Sequence, residues 1–364
     1  MIYLDYQATT PLAPEALDAM LPWLGGPEAP HLAFGGFANP HSPHRSGRAA
    51  KAAVEAAREQ VAALLPPGGR VVFTSGATEA LNLALLGRKR MQLLVSPIEH
   101  AAVLDTALAS GAVVHTMPIR KDGVVSADAQ IPSGTELVAL MQVNNEIGTM
   151  QPIAEIAARS HRAGALLLCD AVQGAGKLAA PEGADLIALS AHKLYGPKGI
   201  GALWIRDGVE LAPVQHGGGQ EGGLRSGTLS PALCAGFGAA AALCIKLRES
   251  DAQHVEKLWA IARNMLAHWQ LNGCAEARWH GNLNLLRHGL DVARLMSDCR
   301  DIAFSAGSAC ASGSGRPSHV LRAIGLDDSS AKSSIRLGFG RYTGEREFVA
   351  ALEQIDAAAT AQEV

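Results

Sequence analysis

The sequence predicts an α/β fold: a mainly parallel seven-stranded sheet in a large lobe, followed by a smaller α+β lobe. Three observations point there. Short apolar runs rich in Val, Leu and Ile alternate with Ala-rich helical stretches over most of the 364 residues. The spacing leaves room for a helix between successive strands, which a parallel crossover requires. After about residue 245 the alternation stops, and short strands mix with helices.

Taken in order, residues 70–74 read as a strand and 79–86 as the helix after it. Strand 92–96 leads into helix 100–109, and strands 112–119 and 136–143 follow. Helix 152–163 opens with Pro152, where a missing N–H is tolerated. Strands 165–169, 186–190 and 201–205 complete the set of seven. A long helix from 232 towards the 260s joins the lobes. The last hundred residues hold strands 302–305 and 334–337 and helices 318–324 and 345–359. Parallel sheets bind ligands at the carboxyl ends of their strands, so the residues just beyond each strand are where chemistry is expected.

Hydrophobic residues make up 48% of the chain, enough for a large core. Aromatics are only 4%, so Ala, Leu and Val must fill it. The formal net charge is −3 and the pI is near 6.5. With no Lys/Arg block, nucleic-acid binding is a poor reading. The start, Met1 to Tyr6, lacks the basic leader and long apolar run of a signal peptide. The most apolar stretch, 234–245, is too short to span a bilayer and contains Gly236 and Gly238. No membrane association is expected. The six cysteines show no C-x-x-C spacing, which suits reduced thiols in a cytoplasmic protein.

Four segments combine residue types suited to catalysis. In Thr74-Ser75-Gly76-Ala77-Thr78-Glu79 a strand gives way through small residues to a helix, whose first N–H groups suit a phosphate. The same residues also read as an ordinary capping box. Asp170 follows the apolar run 166–169. An acid there is costly unless paired or functional, and it could hold a pyridine nitrogen protonated; a helix N-cap is the alternative. Lys193, in Ser190-Ala191-His192-Lys193, sits at a strand end in apolar surroundings that would favour an amine nucleophile. Ser190 and His192 could reach a phosphate. Lys198, in a glycine-rich turn, is the weaker amine candidate. Cys310 lies in the Gly/Ser-rich stretch 305–315, whose small neighbours cannot build a core. It reads either as an accessible nucleophile or as an incidental loop thiol. His41 and His44 are spaced like a metal pair, but Pro40 and Pro43 oppose a helix there and no Cys or acid lies at metal spacing. No metal site is expected.

Together these segments resemble the cysteine desulfurases of the class V aminotransferase superfamily, of the type serving iron–sulfur cluster assembly. The likeness also runs through 3–11, Asn39-Pro40-His41-Ser42, Glu99-His100, Asn144-Asn145-Glu146-Ile147-Gly148-Thr149, 217–228, 317–321 and Ser334-Ile335-Arg336. It implies the type I fold of enzymes that use pyridoxal 5′-phosphate (PLP). The large domain would span 12–245, and the small domain 1–11 with 246–364. Lys193 would form the Schiff base with PLP. His100 would stack on the ring and move protons, Asp170 would pair with the pyridine nitrogen, and Gln173 would bond the phenolic oxygen. Ala77, Thr78, Ser190 and His192 would hold the phosphate. Thr228 would reach the phosphate of a neighbouring subunit in a two-fold dimer with shared active sites. Asn145 and Arg336 would hold the carboxylate of L-cysteine, Arg336 as a fork. Cys310 would take the sulfur as a persulfide for an acceptor protein, and could also serve as a transient iron–sulfur ligand. The alternatives are a selenocysteine lyase, which could use the same residues, another class V enzyme of aminotransferase type, and a non-catalytic chain keeping the fold.

Overall fold

A computed structural model describes residues 1–25, 36–88, 92–307 and 318–362. The chain opens with β1 (Ile2–Tyr3), α1 (Pro14–Met20) and α2 (Arg45–Ala62). The large sheet follows with its helices: β2 (Gly69–Thr74), α3 (Ala77–Leu86), β3 (Gln92–Val95), α4 (Ala101–Ala109), β4 (Val113–Thr116), β5 (Leu137–Ala139), α5 (Ile153–Arg162), β6 (Leu166–Asp170), β7 (Leu186–Ser190) and β8 (Gly201–Arg206). Then come α6 (Pro231–Met265), β9 (Gln270–Leu271), β10 (Asn282–Leu286), α7 (Val292–Asp298), β11 (Ile302–Ala303) and β12 (Ser305–Ala306). The chain closes with α8 (His319–Ala323), α9 (Asp328–Lys332), β13 (Ser334–Gly338) and α10 (Glu345–Thr360).

The seven-stranded sheet has the order β2-β8-β7-β6-β5-β3-β4. The strands from β7 to β4 pair in parallel, while β8 runs against both β7 and β2. The mainly parallel seven-stranded sheet is therefore as expected. Every residue of β7 is buried, as a strand covered on both faces requires. Successive side chains serve opposite cores. Ile187 and Leu189 join Val54, Phe73 and Phe237 under α2 and α6, whereas Leu186 and Ala188 join Leu81, Leu85 and Val103 under α3 and α4. Each fully buried Leu or Phe contributes about 1.5–3 kcal/mol.

A second sheet, β12-β13-β10-β9, is antiparallel and covers a core containing Leu258, Leu283, Leu337 and Phe348. The N-terminus joins this part: β1 pairs with β11, and Leu4 is buried in the same core. α6 spans both cores, with Phe237 and Cys244 in the first and Val255 and Leu258 in the second. At 35 residues it is long and apolar enough to cross a bilayer by length and composition, unlike the shorter stretch read from the sequence. Its buried residues are taken up by the two cores. Several elements escape the sequence reading, α1, α2, β10 and α7 among them. α2 buries no side chain larger than valine: Gly47, Ala50, Val54, Ala57 and Val61. β10 is central in its sheet and wholly buried, although Asn282 to Leu285 alternate polar and apolar residues, and asparagine is uncommon in strands. His44 caps α2, its Nδ1 accepting the Gly47 N–H at 3.1 Å.

Candidate active site

The large sheet brings several strand ends to one edge. β2 and β7 flank the oppositely directed β8, so Thr74 and Ser190 both lie across from Gly201. A Cβ on Gly201 would sit 2.6 Å from the backbone of Gly76, so only glycine lets β8 start this close to the turn after β2. Asp170 ends β6 and pairs with Ala188 of β7. β5 and β3 lie beyond, and the chain after them leads to Asn145 and His100. Between these ends is a cavity of about 590 Å³. Ala77, Thr78, His100, Asn145, Asp170, Gln173, Ser190, His192 and Lys193 all line it.

Ala77 and Thr78 form the first turn of α3, which has Gly76 before it and no side-chain cap. That turn offers an anion unsatisfied N–H groups and the positive end of the helix dipole. The capping-box alternative survives only in part. Glu79 Oε2 accepts the Ser75 N–H at 2.6 Å, but neither Ser75 nor Thr78 caps the helix. Burial pushes the Glu79 carboxyl up, yet Arg225 (2.6 Å) and Ser75 outweigh it and hold it below its ordinary value.

Lys193 sits in the tight turn Ala191–Lys193 after β7, strapped down by the N-terminal segment. Its Nζ donates to the carbonyls of Gln7 and Ala8, the latter at 2.7 Å. His192 Nδ1 lies 3.1 Å from Thr9 Oγ1, and the Thr10 N–H donates to the His192 carbonyl at 2.8 Å. Two residues on, Tyr195 has φ 67°, which costs a non-glycine residue about 1–3 kcal/mol. Its N–H donates to Thr10 Oγ1 at 2.7 Å, and its hydroxyl accepts the Arg341 N–H at 3.0 Å. Burial, helped by the Lys193 charge, pushes the His192 imidazole down to about 4, so it is neutral near pH 7. Lys198 also lines the cavity but is exposed.

Burial raises the Asp170 carboxyl above its ordinary value, while His100 and Lys193 pull it back. Its Oδ1 accepts the Val172 N–H at 3.0 Å. The N-cap alternative fails because no helix starts there. Gln173 donates from Nε2 to the Gln7 carbonyl at 3.0 Å, and its Oε1 has no partner. An unmet buried acceptor costs about 1–3 kcal/mol, and this one belongs to a residue of the cavity wall. His100 caps α4, its Nδ1 accepting the Ala102 N–H at 3.0 Å, which places the proton of the neutral ring on Nε2. Asn145 stands in a tight turn: Asn144 Oδ1 accepts the N–H groups of Glu146 and Ile147 at 2.8 and 2.9 Å.

Two expected residues among those described are not on this wall. Arg336, on β13, is fully buried and does not line the cavity. Its Nη2 donates to Asp5 Oδ1 at 2.6 Å and to Ser305 Oγ at 3.3 Å, and its Nη1 to the Asn145 carbonyl at 3.0 Å. The fork is thus engaged within the chain, one residue's backbone away from the cavity. Thr228 is exposed and lies outside its own chain's cavity. Cys310 lies outside the described residues. Conversely, sequence reasoning gave no role to Gln7, Ala8 and Thr9, although their motif was part of the resemblance. It also passed over Glu99 and Lys177. Burial pushes Glu99 up to about 8, and its Oε1 accepts the Met141 N–H at 2.8 Å. Burial likewise lowers Lys177 to about 8, and its Nζ donates to the Gln173 carbonyl at 3.0 Å. Only their position beside His100 and Gln173 hinted at either.

A mainly parallel sheet with a lysine and a buried acid on adjacent strand ends, beside an anion turn, is the type I fold of PLP-dependent transferases. The aminotransferase class-V family model matches residues 2–351. The mitosomal cysteine desulfurase of Encephalitozoon cuniculi is 42% identical, covering 95% of this chain and 84% of that protein. The cysteine desulfurase IscS of Rickettsia bellii is 40% identical, covering 97% of this chain and 90% of that protein. Among solved structures, a NifS-like protein superposes with a TM-score of 0.88 at 31% identity, covering 99% of both chains. The chain belongs to the aminotransferase class-V family.

Proposed function

We propose that this chain is a PLP-dependent cysteine desulfurase that converts L-cysteine to L-alanine and moves the sulfur to Cys310 as a persulfide. The observation that carries the reading is the convergence of Lys193, Asp170 and the uncapped turn of α3 on one cavity, each from a different strand end. Relatives named cysteine desulfurases, similar over nearly the whole chain, supply the reaction.

The residues present fit PLP. The first turn of α3, with Ser190 and His192, suits its phosphate. Asp170 suits the protonated pyridine nitrogen, since a cation there would offset the cost of ionising a buried acid. Gln173, whose side chain keeps an unmet buried atom, suits the phenolic oxygen. When bound, PLP makes the substrate α-carbon acidic by drawing its electrons into the ring.

The protein's own groups do the rest. The Lys193 amine, held at the strand end by the carbonyls of Gln7 and Ala8, is placed to anchor the cofactor and to take the α-proton. His100 carries a proton on Nε2 and is placed to pass it. Asn145 binds the cysteine carboxylate on the near side. Arg336 contributes there once its fork turns from Asp5. The Cys310 thiolate attacks the substrate sulfur. The carbon–sulfur bond breaks as a sulfur–sulfur bond forms, so carbon is reduced and sulfur oxidised with no outside oxidant. A proton completes the alanine methyl group, and Cys310 keeps the persulfide.

A two-fold dimer belongs to the same reading: Thr228 is exposed outside its own cavity, where a second copy could use it. A cytoplasmic setting is part of the same proposal. Delivery of sulfur to an acceptor protein, for iron–sulfur assembly or thiolation, completes the proposal. The test is to mix the PLP-loaded protein with L-cysteine and a thiol reductant and assay alanine and sulfide together. Equal yields are expected. Bound PLP with no alanine would overturn the reading.

A further inference from the structure

The turn that presents Asn145 is also where the two stems of the Cys310 segment are tied. Glu146, the next residue, is 2% exposed. Burying a carboxyl is expensive, so its partners matter. Ser318 Oγ donates to Glu146 Oε2 at 2.5 Å. Asn284 Nδ2, from the centre of the second sheet, donates both to the Glu146 carbonyl at 3.1 Å and to the Gly307 carbonyl at 3.2 Å. Gly307 is fixed again by its N–H to the Ser334 carbonyl at 2.7 Å. Gly307 and Ser318 bracket residues 308–317, the stretch of sequence that holds Cys310. The far stem has a second tie, since His319 Nε2 lies 3.0 Å from the carbonyl of Glu99, beside His100. Apolar packing reinforces it: Val320 and Leu321 of α8 share a buried cluster with Ile98 and Ile147.

We propose that Glu146 is a positioning residue: its carboxylate holds the far stem of the Cys310 segment through Ser318, on the same turn whose backbone carbonyl holds the near stem through Asn284. The inference rests on the desulfurase reading. Its content is that the site binding cysteine and the chain delivering the thiol share one hub. Misplacing reacting atoms by about 1 Å can cost on the order of a hundredfold in rate. Loss of one tie, with the others kept, should cost about tenfold.

The experiment uses PLP-loaded wild type, Glu146→Ala, Ser318→Ala, the double variant and Glu146→Gln. Cysteine binding is read from the change in the cofactor's near-visible absorbance. Persulfide on Cys310 is read by mass spectrometry after rapid quenching. Both Ala variants should form persulfide about tenfold more slowly, with half-saturating cysteine within about twofold of wild type. The double variant should be no slower than the worse single one. Glu146→Gln should recover most of the rate, because an amide oxygen also accepts the Ser318 hydroxyl; it guards against a trivial folding defect in the Ala variant. Unchanged persulfide rates overturn the assignment alone. So does a loss explained by weaker cysteine binding, which would make Glu146 a support for Asn145 only. No persulfide in wild type would instead overturn the desulfurase reading and this assignment with it.

Discussion

The cavity wall and the cluster around Arg336 are built from similar polar residues and treat them in opposite ways. On the wall, capacity is left unmet: Gln173 Oε1 has no partner, Asp170 is held up by burial, and α3 starts without a side-chain cap. Around Arg336, Asp5, Ser305 and the Asn145 carbonyl take both terminal nitrogens, and its Nε is left without a partner. Buried polar groups are normally satisfied. A wall that breaks this rule is shaped for a ligand, whereas a cluster that nearly obeys it is a joint between parts of the chain. The joint lies within one residue of the cavity, so it can hold the second sheet in place and still feel the substrate.

The largest effect should come from the wall. Lys193→Ala should lower desulfurase activity by at least about a thousandfold and abolish the cofactor's near-visible band. A variant that kept the band would show that another amine, Lys198 first, anchors PLP. Cys310→Ser should separate sulfur transfer from cofactor binding, with the yellow colour kept and persulfide absent. Sulfide released from cysteine at the full wild-type rate would remove Cys310 from the mechanism.

The joint should respond more mildly. Arg336→Lys keeps the charge beside Asp5 but loses the planar fork, and should raise half-saturating cysteine about tenfold without changing the absorbance of bound PLP. If cysteine binding held and only the melting temperature fell, Arg336 would be a joint and nothing more.

A last effect falls on stability and not on activity, and concerns Glu99, the residue before His100. Folded, it holds its proton up to about pH 8 against an ordinary value of 4.5, so its ionisation favours the unfolded chain. Its contribution to the stability of the protein without PLP should therefore decline as pH rises from about 4.5 to about 8. Glu99→Gln, neutral at every pH, should flatten that decline in thermal melts. Parallel melting curves for the two proteins across this window would mean that Glu99 is not a buried neutral acid.

Much of this was legible in the chain itself. The alternation of apolar runs and helices fits the seven strands, because a parallel strand buried on both faces must be apolar throughout. Residues placed just past those runs, such as Lys193, Asp170 and Thr78, meet in the cavity because β2, β6 and β7 run the same way and end at one edge. β10 was passed over although Asn282 to Leu285 alternate, because asparagine is depleted in strands and here sits buried on the sheet. So was α2, whose buried face carries no side chain larger than valine.

By itself, then, the sequence determined the α/β class, the family, and the residues at the strand ends, all of which follow from local pattern and motif. Only the tertiary structure decided that Gln7 to Thr10 strap the Lys193 turn, that Arg336 is held by Asp5, and that Glu146 ties together Gly307 and Ser318. Each of these joins residues more than a hundred positions apart, or works through an intermediary such as Asn284. No local pattern encodes such pairings, because they exist only once two sheets with separate cores have packed along α6.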